Sequence, residues 1–169
     1  LYLFLVPAMS MRLWAEERRT GTIEALLTLP LSVSQAVIGK FLAAWAFIGI
    51  ALLLTFPIAL TVNFLGNPDN GVMIAGYIGS FLMAGAFLAI GSCISALTKN
   101  QVIAFILAST LCFLFVMSGS ELVLNFFRGW APRFLIDAIS SLSFLTHFDR
   151  IVRGVIPLSS LFFYLSLIA

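Results

Sequence analysis

The residues able to do chemistry in this sequence are few, and their spacing suits contact more than catalysis. Acidic and basic side chains crowd together at Glu16, Glu17, Arg18 and Arg19. Gly21, Thr22 and Glu24 follow at once, and Pro30 closes the segment. Charges of both signs at this density suit ion pairs and hydrogen bonds to a partner surface. Elsewhere Asp69, Asp137 and Asp149 stand apart, each in a predicted loop or interfacial stretch, where no acid–base pair forms at membrane depth. His147 is the one histidine, and no partner stands at metal-ligand spacing from it. Cys93 and Cys112 form no CxxC pair, and each lies inside an apolar run. They read as small buried residues packing between helices, so neither a disulfide nor a metal site is expected. A phosphate-binding loop is missing too: Gly39-Lys40 runs into Phe41, and Ser34 stands where its first glycine belongs.

The elements that must position the charged cluster are membrane helices. Of 169 residues, 62% are hydrophobic and 9% charged, and the mean hydropathy is +1.13. A soluble domain is about a quarter charged, so a chain this apolar has too little polar surface to face water. No basic patch with interleaved aromatics appears, which argues against nucleic acid as a ligand. Apolar runs cover Val37–Val62, Val72–Leu97 and Val102–Met117, with a shorter terminal run over Val155–Ala169. A span needs ~20 apolar residues. Residues 1–9 read as the tail of a further span, and both chain ends look cut. Ser32 with Gln35, and Thr98 with Gln101, have the form of capping boxes. Gly66-Asn67-Pro68-Asp69-Asn70-Gly71 is turn chemistry. Pro57 predicts a kink that neighbouring groups must satisfy. Gly76, Ser80, Ala84, Gly85, Ala89, Gly91 and Ser95 place small residues at helical spacing, for close packing within the chain or against another subunit.

Residues 12–36 then read as a charged cluster, a Gly-Thr break, a short helix and a proline stop. Thr22 is the expected N-cap, with Glu24 in the first turn, where the helix dipole favours a carboxylate. Ile23, Leu26 and Leu27 make one apolar face, and Pro30 ends the helix. A short helix mounted between two spans suits passing force between a soluble partner and the membrane. An ordinary interfacial loop helix is the alternative.

Basic residues give the orientation. Arg12, Arg18, Arg19, Lys40 and Lys99 fall on one side, and 66–71 carries none. Residues 12–36 and the turn at 98–101 are therefore expected in the cytoplasm. Arg128, Arg133, Arg150 and Arg153 oppose this if Val102–Phe127 crosses once. The conflict eases if 133–147 is an amphipathic helix lying in the outer interface, with His147 on its polar side. A re-entrant Val102–Phe127, interrupted before Glu121, is the other solution.

The segment Ala15-Glu-Glu-Arg-Arg-Thr-Gly-Thr-Ile-Glu-Ala-Leu-Leu-Thr-Leu-Pro30, with Gly39-Lys40-Phe41 after it, resembles the signature of type-2 ABC exporter permeases. It is most similar to the gliding-motility and copper-enzyme-maturation branch. A second resemblance lies in Arg153-Gly154-Val155-Ile156, before the last span. The resemblance implies an all-α, polytopic, six-span permease fold, here one domain over 1–169 lacking its first span. It implies that 12–36 is a cytoplasmic coupling segment and that 127–153 is external, as short interfacial helices. It implies further that Glu16, Glu17, Arg18, Gly21, Thr22, Glu24 and Pro30 form the contact with an ABC ATPase subunit. On this reading the chain is not an enzyme and binds no cofactor. ATP and Mg belong to the ATPase, a second or homologous permease completes the path, and the assembly sits in the plasma (inner) membrane. A stand-alone channel or carrier, with Glu121 as its ionisable group, and an intramembrane enzyme are the competing classes. The transported substrate is not legible in these residues.

Overall fold

Asp69 shows how directly local chemistry becomes structure here. Its carboxylate accepts from Gly71 N at 2.9 Å and Val72 N at 3.4 Å, capping the helix that organises the chain. The computed structural model describes residues 2–22, 24, 32–66, 68–118, 120, 123, 143–152 and 157–168. Their regular structure is helical: α1 Tyr2–Ser10, α2 Arg12–Thr20, α3 Val33–Leu53, α4 Phe56–Leu65, α5 Asn70–Leu97, α6 Gln101–Met117, α7 Phe144–Val152 and α8 Leu158–Ile168. Two stretches, Val33–Leu65 and Asn70–Leu97, are long and apolar enough to cross a membrane. The chain is an all-α, multi-helix membrane protein.

Helix α5 is the axis of the bundle and packs against α1, α2, α3, α6, α7 and α8. Most of its span is buried, whereas Val33–Leu65 is almost wholly exposed. Small residues let neighbours close on α5. Trp45 of α3 stacks on Phe81 (centroids 4.6 Å apart, 7° between planes), and its Nε1 donates to Phe81 O at 3.1 Å. A Cβ at Gly49 would come within 2.9 Å of Phe81, and one at Gly85 within 2.9 Å of Trp45. A Cβ at Gly91 would collide with Ser10 of α1. The small-residue stripe is thus used within the chain at Gly85 and Gly91, while Gly76 faces open space. Gly91→Ala is expected to cost about 1–3 kcal/mol by overpacking. The check is a lower thermal midpoint of the purified protein in detergent.

The break foreseen at Pro57 falls at Leu54–Thr55, with Pro57 in the first turn of α4. Exposed carbonyls at the break are met locally. Thr55 Oγ1 donates to Leu52 O at 2.6 Å, and Tyr77 of α5 donates to Thr55 O at 3.1 Å. The Ser32–Gln35 capping box forms in full. The Thr98–Gln101 box does not. Asn100 is adjacent to α6 and accepts from Val102 N at 2.9 Å, while Thr98 turns back to donate to Ile94 O of α5. Cys112 is buried as expected, but Cys93 is exposed, because it lies off the face of α5 that carries Gly91 and Ser95.

Of the stretch read as an amphipathic interfacial helix, residues 133–142 lie outside the described residues. The described helix, α7, packs along α5. Phe144 packs edge-on against Phe87, centroids 4.9 Å apart, and Ile151 packs over Gly79. At 1.5 Å per residue, Phe87 lies about 25 Å along α5 from Asn70. The apolar face of α7 has partners within the protein. His147 is buried accordingly, with Nδ1 2.9 Å from Ser160 Oγ and its ring stacked on Phe163.

Candidate functional site

Helix α2 carries the charged cluster. The cluster is therefore helical in itself, whereas the sequence reading placed a helix only after the Gly-Thr break. The signal was present: Leu13, Trp14 and Glu17 share one face, Arg18 and Arg19 sit in the last turn, and Gly21 follows. Gly21 adopts φ 73°, the left-handed conformation that glycine reaches without strain, and this ends α2. Trp14 and Ala15 face the bundle and are buried. Glu16, Arg18, Arg19, Thr20, Gly21, Thr22 and Glu24 are exposed. Thr22 is itself helical and not an N-cap, since Gly21 before it makes the break. Its hydroxyl meets that of Thr20 at 3.0 Å. Pro30 lies outside the described residues, as do Ile23, residues 25–29, Glu121 and the Arg153–Ile156 element.

Glu17 behaves differently from its neighbours. Its Oε1 forms an ion pair with Lys40 of α3, and its Oε2 is buried with no partner among the described residues. Lys40 also donates to Leu13 O at 3.2 Å and lies 4.3 Å from the centroid of the Trp14 ring. One ammonium thus ties α2 to α3 by a charge, a carbonyl and an aromatic face. Sequence reasoning used Lys40 for orientation and in the Gly39-Lys40-Phe41 motif, and assigned it no partner. Its trace was a lone charge inside an apolar run, which demands a partner. The other charges on this arm (Glu16, Arg18, Arg19 and Glu24) are in no ion pair among the described residues.

The arrangement is an ionic surface on a helix whose other face is fixed to the bundle. Such a surface offers charges of both signs to a partner. His147 and Ser160 form a hydrogen-bonded pair, and both are buried.

The family model described as ABC-2 family transporter protein matches residues 4–165. The chain belongs to the ABC-2 transporter family. No curated protein and no solved structure matches it. As an ABC-2 family member it is a membrane permease component of an ABC transporter, and proteins of this kind are the membrane components, not the catalytic ones. The match takes in α2 through most of α8, so the ionic arm and the α5-centred bundle both fall inside the permease region. Within this permease the residues that sequence reasoning missed are Lys40 in its latching role and Ser95. The Ser95 hydroxyl lies against the start of α2.

Proposed function

We propose that this ABC-2 permease forms the translocation path of an exporter and is driven by a separate ATPase subunit that docks on the exposed face of α2 and the segment after it. The supporting observation is the asymmetry of α2. One face is buried and latched through Glu17–Lys40, while Glu16, Arg18 and Glu24 point away from the chain. A rigidly held ionic helix passes on a push that a loose loop would absorb. Gly21 sets the angle at which the chain leaves α2.

ATP and Mg bind the partner in this reading, and the permease contributes no group to hydrolysis. A second permease copy, identical or homologous, completes the path. The arm and the 98–101 turn face the cytoplasm of a plasma (inner) membrane, as the basic residues suggest. Within the family, the Ala15–Pro30 segment supports placement with the gliding-motility and copper-enzyme-maturation branch.

The test is recovery of the ATPase on a tagged permease. Glu16→Ala, Glu24→Ala and Gly21→Pro are each expected to reduce the ATPase that co-purifies. A double Glu16→Ala/Glu24→Ala variant is expected to lose about a hundredfold or more, at 1.5–3 kcal/mol per charge-assisted contact. Full recovery in every variant, with transport unchanged, would reject docking on this arm.

A further inference from the structure

The start of α2 is capped by a residue from another helix. Met11, at its N-cap position, offers no side-chain cap, yet a helix start leaves amides that need acceptors. Trp14 N and Ala15 N both donate to Ser95 Oγ, at 3.1 and 3.0 Å, and Ser95 Oγ donates to Met11 O at 3.0 Å. A serine hydroxyl has one hydrogen and two lone pairs. All three are spent on this junction. Ser95 belongs to α5 and is completely buried. One turn earlier on the same helix, Gly91 has no side chain, and Ser10 from the end of α1 occupies that space. The α1–α2 junction therefore rests on α5 with no slack. From there α5 runs to Asp69 at the opposite end of the bundle, holding α7 and α8 along its length.

We propose that Ser95 is the positioning residue that makes α2 and α5 move as one body, so that force on the ionic arm reaches the opposite end of the bundle through α5. This rests on the docking reading above, and it adds the route. The hydroxyl does not touch cargo or nucleotide. It acts by keeping two amides and one carbonyl of α2 bonded to the central helix. Removing it leaves buried backbone groups without partners, which shifts the balance from pinned to released α2 by roughly 5–30-fold.

Two distance measurements with spin labels test this, in the permease with its co-purifying ATPase in nanodiscs and with exposed Cys93 replaced by Ser. Labels at Arg12→Cys and Lys99→Cys report the seating of α2. Labels at Leu65→Cys and Leu158→Cys report the opposite end of the bundle. Ser95→Ala is expected to broaden the first distance. It is also expected to cut the ATP–vanadate-dependent change in the second by roughly 5–30-fold, while ATP hydrolysis continues. Ser95→Thr, which keeps a hydroxyl, is expected to lie between Ser95→Ala and the parent. Ser92→Ala is the control, because the Ser92 hydroxyl donates only within its own helix, to Ala89 O, and it is expected to match the parent. A narrow first distance in Ser95→Ala, or a full far-end response, would overturn the proposal. A parent permease that recovers no ATPase would instead remove the docking reading, and broadening in Ser95→Ala would still identify the pin.

Discussion

Phe144→Ala is expected to be the most damaging single substitution in the described bundle, at about 3–5 kcal/mol. Phe144 is completely buried and meets the rings of Phe87, Phe115, Phe163 and Tyr164, with centroids 4.9 to 5.9 Å away. In lipid an apolar side chain gains little by leaving water, so packing carries the stability. Truncation to alanine opens a void that four rings border and that α7 alone cannot close. The backbone adds a second tie at the same point, since Tyr164 OH donates to Phe144 O at 2.9 Å. Thermal unfolding in detergent reads the loss, and amide exchange across 144–152 reads the release of α7. Phe144→Leu should recover part of both. A parent-like midpoint with parent-like protection of α7 would mean that this cluster does not hold the helix.

Lys40→Met is expected to cost about 2 kcal/mol and to loosen α2 from α3. Methionine keeps an apolar stem over Trp14 but removes the charge. Glu17 then keeps both carboxylate oxygens in a half-buried setting, where Oε2 already has no partner among the described residues. An uncompensated charge there costs more than the pair contributed. Lys40→Met combined with Glu17→Leu should therefore be more stable than Lys40→Met alone. A double-mutant cycle by thermal unfolding measures this coupling. Strict additivity of the two substitutions would show that the pair does not interact. The same double variant also probes function, because it restores stability without restoring the charge latch. If the latch helps transmit force, ATPase recovery returns and ATP-dependent rearrangement does not.

Both predictions concern contacts that hold the arm and the bundle together, and they separate two kinds of legibility. Local signals were readable from the chain alone. The membrane class followed from composition. The Ser32–Gln35 box, the Pro57 interruption and the Gly21 break each depend on residues a few positions apart, and each appears in the structure, as does the cap that Asp69 places on α5. Thr98–Gln101 failed within the same short range, because Asn100 stands closer to the helix start and caps it. The exposed charges of the candidate site were legible as well, since charges in so apolar a chain are conspicuous.

Only the tertiary structure decided how these pieces face one another. Helix α5 is apolar on every side, so its sequence carries no stripe that marks an inward face. Which of its small residues meets Trp45, which meets Ser10 and which caps α2 is fixed by packing across intervals of up to 84 residues. For the same reason Glu17 looked like its exposed neighbours until Lys40 was found beside it, and the partners that α7 finds on α5 were not legible. The sequence determined that this protein is a membrane bundle bearing an ionic arm. The structure decided that the arm is latched at Lys40 and capped by Ser95, because both contacts exist only once distant helices have closed on α5.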